Sequence, residues 1–200
     1  MRHAPNRLVN EERGQVQELV VRARSGSLEA FGEIFQVCQS GIYTFICSQV
    51  HEPEVAADLT QQTFVRAWES LPRLREVGAF RGWLHRIAAN LVRDEVKSGR
   101  ARLEVRESDL PEMEFAAPER PEQMALQVEL KEEVWRALRT LPAEQRTAVV
   151  LHHLEGLSVA EIAAAVGVRP GTVMSRLARA RDALRLKLAR YVEAESYELR

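Results

Sequence analysis

The stretch LSVAEIAAAVGVRPGTVMSRLARARDALR, Leu157–Arg185, decides the fold. Ser158 and Glu161 make an S-x-x-E capping box, which satisfies orphan N–H groups at the start of a helix. Gly167 ends that helix, where a residue tolerant of positive φ is needed. Pro170 suits the first turn of a second helix. On that helix Val173, Leu177, Ala180, Leu184 and Leu188 share one face, while Thr172, Ser175, Arg176 and Arg179 share another. Helix, tight turn and two-faced basic helix form a helix-turn-helix of the kind that reads DNA in the major groove.

Charge supports this once it is mapped along the chain. The 200 residues carry a formal net charge of −1. Residues 167–190 hold 7 basic residues and 1 acidic one, whereas residues 101–135 hold 4 basic and 10 acidic. A near-neutral total therefore conceals a basic second helix behind an acidic middle. Nearly half of the chain is apolar, enough for one or two small globular domains.

Upstream, the pattern is helical throughout, with no alternating strand. Helices are expected over about 11–24, 27–50, 54–70 and 79–98, punctuated by Gly26, Pro53, the 71–78 loop and Gly99. Their apolar stripes suffice for one bundle. Residues 101–125, with three prolines and seven acidic residues, read as a flexible acidic linker. Helices at about 126–140, 142–154, 158–166 and 170–190 make a smaller second domain. The expected class is all-α, with two helical domains over 10–100 and 126–192 joined by that linker. The acidic tail VEAESYELR is expected to fray.

Cys38 shares an apolar stripe with Phe31, Ile34, Phe35, Ile42 and Phe45 and reads as a buried thiol. With Cys47 and five scattered histidines it offers no zinc-ligand spacing. His152 and His153 are adjacent on a helix and are expected to point to different faces. No phosphate-binding loop, dinucleotide fingerprint, metalloprotease motif or triad appears, so no enzyme, metal, cofactor or small-molecule substrate is expected. No apolar run spans a membrane and no signal core opens the chain, which predicts a cytoplasmic protein without membrane insertion.

The helix at Ala79–Ser98 offers a second surface. Phe80, Trp83, Leu84, Ile87, Ala88 and Leu91 form its apolar face, and Arg86, Asn90, Arg93, Asp94 and Lys97 the opposite one. Basic residues neutralise phosphates and Asn pairs with base edges, although a merely solvated face has the same composition. Three segments together, DLTQQTFVRAWESL at 58–71, FRGWLHRIAANLVRD at 80–94 and GLSVAEIAAAVGVRPGTVMSRLARAR at 156–181, resemble bacterial RNA polymerase sigma factors of the extracytoplasmic function (ECF) group of the sigma-70 family. The order and spacing match, over about residues 10–190.

The resemblance implies sigma region 2, a linker and sigma region 4. It implies docking on core RNA polymerase, on the clamp helices of the largest subunit and the flap of the second largest, through Asp58, Leu59, Gln61, Gln62 and Arg66 for the clamp. Gln62 stands where the family commonly has an acidic residue. Promoter DNA would be read at the −10 element by Arg86, Asn90, Arg93 and Lys97. The loop at about Arg73–Ala79 would capture a flipped base, recovering on capture the cost of unstacking it. The −35 element would be read by Arg169, Thr172, Ser175, Arg176 and Arg179. Met174 replaces a commonly basic residue, so no known −35 sequence carries over. Arg86 and Ile87 match the positions of the melting aromatics of housekeeping sigma factors, while Trp83 reads as core. The linker would thread near the RNA exit path, as an RNA mimic or as a plain solubilising tether. The resemblance also implies an anti-sigma partner, which would hold the protein at the membrane where that partner is membrane-bound. The competing reading is a polymerase-independent regulator of the response-regulator or quorum-sensing kind, which would carry an α/β or ligand domain in place of the helical N-terminal half.

Overall fold

The computed structural model describes residues 7–50, 52–99 and 121–189, with side-chain surroundings for 14–50, 52–99 and 130–189. Helix α1 spans Arg7–Arg24, α2 Leu28–Val50, α3 Pro53–Ser70 and α4 Phe80–Ser98. Helix α5 spans Pro121–Arg139, α6 Ala143–Val149, α7 Val159–Val166 and α8 Pro170–Lys187. No strand occurs among the described residues.

Local chemistry sets the boundaries. Gly26, at φ 99°, reverses the chain after α1. Ser27 then caps α2, its hydroxyl accepting the Ala30 N–H at 3.2 Å. Pro53 occupies the first turn of α3, where its missing N–H costs nothing. The expected 71–78 loop is two short 3-10 turns, Leu71–Arg73 and Val77–Ala79, with Leu71 and Leu74 buried.

Helix α2 is the axis of the bundle. Phe31, Ile34, Cys38, Ile42 and Phe45 recur at helical spacing and are buried. From Thr44 to Val50 every residue is buried, because other helices pack on all sides. Phe31, Phe35, Phe64 and Trp68 lock α2 to α3, with ring centroids 4.8–6.4 Å apart. Buried hydroxyls answer to their own helix: Thr60 donates to the Ala56 carbonyl and Thr63 to that of Leu59, each at 2.7 Å.

In the C-terminal half the structure departs from the expected boundaries. Helix α5 already begins at Pro121, so residues 121–125 are helical rather than linker; Pro at the first position and the following Glu122 suit a helix start. Residues 101–120 of the expected linker, and the tail, lie outside the described residues. The expected helix 142–154 is α6 followed by a wider π turn at Val150–Leu154, closed by the Glu155 N–H on the Val150 carbonyl at 3.1 Å. That widening also corrects the histidines: the rings of His152 and His153 meet edge to face, with centroids 4.8 Å apart, and the His152 ring bonds to the Leu157 carbonyl at 2.9 Å.

The halves share one contiguous apolar core that runs from Val16 to Ala180. Helix α4 joins the two halves, packing on α2 and α3 as well as on α7.

Candidate polymerase and promoter interface

The helix-turn-helix is built as its residues dictate. Ser158 accepts the Glu161 N–H at 3.2 Å, and Glu161 accepts the Ser158 N–H at 2.7 Å. Gly167 takes φ 74°, and both its N–H and that of Val168 bond to the Ala163 carbonyl at 3.0 Å. Arg169 is extended at the N-cap of α8 and Pro170 opens the helix. Val173, Leu177 and Ala180 are buried, which fixes the rotation of α8 and turns the opposite face outward.

Of the five residues expected to read the −35 element, Arg169 and Arg179 are exposed and Thr172 and Ser175 half-exposed. Ser175 donates to the Thr172 carbonyl at 2.9 Å. Arg176 is differently placed. It donates to the Glu144 carboxylate at 2.7 Å and ties α8 to α6, with 17% of its side chain exposed. Met174, 62% exposed, stands on the outward face with Ser175 and Ala178. The sequence marked Met174 only as a departure from the family pattern.

On α4, Arg86, Arg93 and Lys97 are exposed and Asn90 is half-exposed, all away from the buried Phe80, Leu84, Ala88 and Leu91. Arg93 donates to the Asn90 side-chain carbonyl at 3.1 Å, so these two form one preassembled group. Trp83 is half-buried and tilted against Phe80 at 5.8 Å, on the core side. In the preceding loop Arg73 and Arg75 are exposed.

On α3, Asp58, Gln61 and Arg66 are exposed. Gln62 donates to the Asp58 carboxylate at 2.7 Å, one turn back. A glutamate there would repel Asp58; the amide instead orients it. Leu59 is buried in the bundle and supports this face from behind. Val65, 58% exposed, adds an apolar element that the sequence reading passed over.

Where the halves meet, titratable side chains are enclosed. Glu155, 7% exposed, follows the π turn and reaches between α2 and α4. Its carboxylate lies 3.4 Å from His85 Nε2, an ion-pair distance without hydrogen-bond alignment, while His85 Nδ1 bonds to the Arg81 carbonyl at 2.9 Å. The carboxylate fills the space beside Gly41 that a Cβ would take. A second glycine, Gly82, lets α7 approach α4, where an added Cβ would sit 3.4 Å from the Glu161 Cβ. Beside this seam opens a groove of about 590 Å³, lined by Val37, Cys38, Leu84, Trp135, Leu138 and Leu154 among others.

Burial pushes the Cys38 thiol up to about 11, and raises Cys47 as well, so both are weak nucleophiles. Burial likewise pushes Tyr43 up to about 12. Arg146 is lowered by burial, and it caps the C-terminus of α5 through the Arg139 carbonyl at 3.0 Å. Among the described residues no group of three His, Cys, Asp or Glu could hold a metal, and no helix is long and apolar enough to cross a membrane.

A helical bundle carrying a helix-turn-helix, with outward basic side chains on α4 and α8, has the build of a DNA-binding protein. Family comparison narrows the class. Residues 34–102 match the Sigma-70 region 2 family and residues 131–184 match Sigma-70, region 4. The chain is 34% identical over 177 residues to the RNA polymerase sigma-H factor of Pseudomonas aeruginosa, covering 85% of this chain and 92% of that protein. It is 44% identical over 137 residues to the ECF RNA polymerase sigma factor SigE of Mycolicibacterium smegmatis, covering 68% of this chain. It spans about half the length of that relative, 52%. The sigma factor RpoE of Bartonella quintana, solved with the anti-sigma factor NepR, superposes with TM-score 0.63 at 28% identity, covering 81% of this chain and 98% of that one. The chain belongs to the sigma-70 family of RNA polymerase sigma factors, in its ECF group.

Proposed function

We propose that the chain is an alternative sigma factor that binds core RNA polymerase and directs it to a set of promoters. The observation that carries this reading is the pairing, in one chain, of the outward basic face of α8 with the outward Asn90–Arg93 face of α4, each on a matched sigma region. On this reading α3 docks on the clamp helices of the largest polymerase subunit through Asp58, Gln61, Gln62 and Arg66. Leu59 keeps α3 seated and Val65 adds apolar contact. The C-terminal half engages the flap of the second largest subunit. Arg86, Asn90, Arg93 and Lys97 meet the −10 element, and Arg169, Thr172, Ser175 and Arg179 the −35 element. Arg guanidinium can pair bidentately with guanine, worth about 1–3 kcal/mol of discrimination. Arg176 contributes by holding α8 against α6.

An anti-sigma protein is the proposed regulator, supported by the Bartonella complex with its anti-sigma factor. The work of such a factor places it in the cytoplasm with the polymerase. In vitro transcription with bacterial core polymerase on fragmented genomic DNA tests the reading. Discrete start sites that require the protein are expected. Their absence, together with failure to co-elute with core polymerase, overturns it in favour of a polymerase-independent regulator.

A further inference from the structure

We infer that Met174 is a specificity-determining residue of α8: its thioether side chain reads the 5-methyl group of a thymine in the major groove and so selects a thymine at one position of the −35 element. The inference rests on the sigma reading above and deepens it by naming the base chemistry that one side chain recognises.

Helix α8 turns two unlike strips outward. At about 3.6 residues per turn, positions 171, 174 and 178 stack along one strip and positions 172, 175 and 179 along the next. The second strip is polar, with Thr172, Ser175 and Arg179. The first is Gly171, Met174 and Ala178, all exposed and none with a hydrogen-bonding side chain. Val173, Leu177 and Ala180 are buried in the core, so the helix cannot roll to bring Met174 inside. Met174 is left 62% exposed, and the two smallest side-chain types flank it one turn back and one turn on. Nothing on its own strip shields it from a surface laid against α8.

The surrounding charge selects what that surface is. The Met174 strip continues toward the C-terminus with Arg181 and Arg185, and Arg169 and Arg179 stand nearby; all four are exposed. Asp182 is the one acidic residue of α8. An apolar protein face laid on Met174 would strip water from these arginines without pairing them. A nucleic acid pairs them with phosphate and still presents one apolar group on its major-groove base edges, the thymine methyl. A flexible, polarizable thioether suits such a contact. The polar strip is already partly engaged within the protein: Ser175 donates to the Thr172 carbonyl at 2.9 Å, and Arg176 donates to Glu144 at 2.7 Å. Met174 adds discrimination that needs no hydrogen bond, because the methyl group marks thymine among the four bases.

The test removes the methyl group from the DNA and the thioether from the protein, separately and together. Promoters are selected by the full chain with core polymerase from a library randomised at the −35 element. They are then rebuilt with deoxyuridine in place of each thymidine of that element, on either strand, one at a time. Deoxyuridine pairs as thymidine does and lacks only the methyl group. At one position it should lower wild-type transcription about fourfold, as expected for one apolar carbon left in water. Met174→Ala should lose about as much on the thymidine promoter and nothing further on the deoxyuridine one. Met174→Leu should keep the sensitivity to deoxyuridine. All three chains should melt alike, since the side chain is exposed; a variant that merely folded badly would keep the ratio between the two templates. A wild type indifferent to deoxyuridine at every position overturns the inference, as does a selected −35 element without an A·T pair. It is overturned equally by a Met174→Ala chain that still loses fourfold on deoxyuridine, which would assign the methyl group to another side chain. A wild type that gives no start site on any template sinks the sigma reading, and this inference with it.

Discussion

The outer face of α8 and the seam beneath α7 belong to the same C-terminal half and treat charge in opposite ways. On α8 the arginines are in water or, for Arg176, in a pair with the exposed Glu144, and the helix is held by three apolar residues, Val173, Leu177 and Ala180. At the seam Glu155 and His85 are enclosed among Gly41, Leu84 and Leu138. Solvated charge can be offered to a phosphate or a base at little cost to the fold. Enclosed polar groups are committed to one arrangement, since leaving either alone in the interior is expensive. The first face is suited to recognising something else and the second to recognising the other half of the chain.

Substitutions can break this contrast, and their effects should descend in a definite order. Leu84→Ala, at a 1% exposed position facing both halves, should lower stability by about 2–5 kcal/mol in chemical denaturation. An effect under about 1 kcal/mol would mean that the seam is not packed. Arg179→Ala should leave the melting temperature unchanged while removing about 1–3 kcal/mol of −35 discrimination, read as relaxed preference in transcription from a library randomised at that element. Ser158→Ala removes half of the capping box and should cost about 0.5–2 kcal/mol of stability without altering promoter choice. Arg176→Ala should show the smallest effect, about 0–1 kcal/mol of stability, because Glu144 is 72% exposed and the pair is screened. It should also disturb promoter selection less than Arg179→Ala. The reverse ranking of the two arginines would return Arg176 to the base-reading face.

What was legible in the sequence was what is decided within a few residues. Ser27, Ser158 with Glu161, Gly26, Gly99, Gly167 and Pro170 each act on their own turn of helix, and each stands where its chemistry placed it. The apolar stripes of α2, α4 and α8 were equally readable, because periodicity reports which face is buried. Periodicity is silent about what the face meets. Gly41 and Gly82 look like ordinary weak points of helices, and Glu155 like a solvated acid at a helix end. Arg176 reads as a base contact, and nothing local reveals that Glu144, 32 residues away, also pairs with it. The π turn adds a further displacement, since a 3.6-residue period carried through Val150–Leu154 points both histidines and Glu155 in the wrong directions.

The burial of Leu59 also governs how a mutational scan of α3 must be interpreted. Asp58 and Gln62 form one outward pair, yet the residue next to Asp58 is 3% exposed. On the proposed docking through α3, alanine at Leu59 would unseat the helix and weaken polymerase binding without touching a contact atom, whereas alanine at Gln61 or Arg66 removes surface alone. Loss of binding is therefore informative about the interface only for the variants that still melt like the parent.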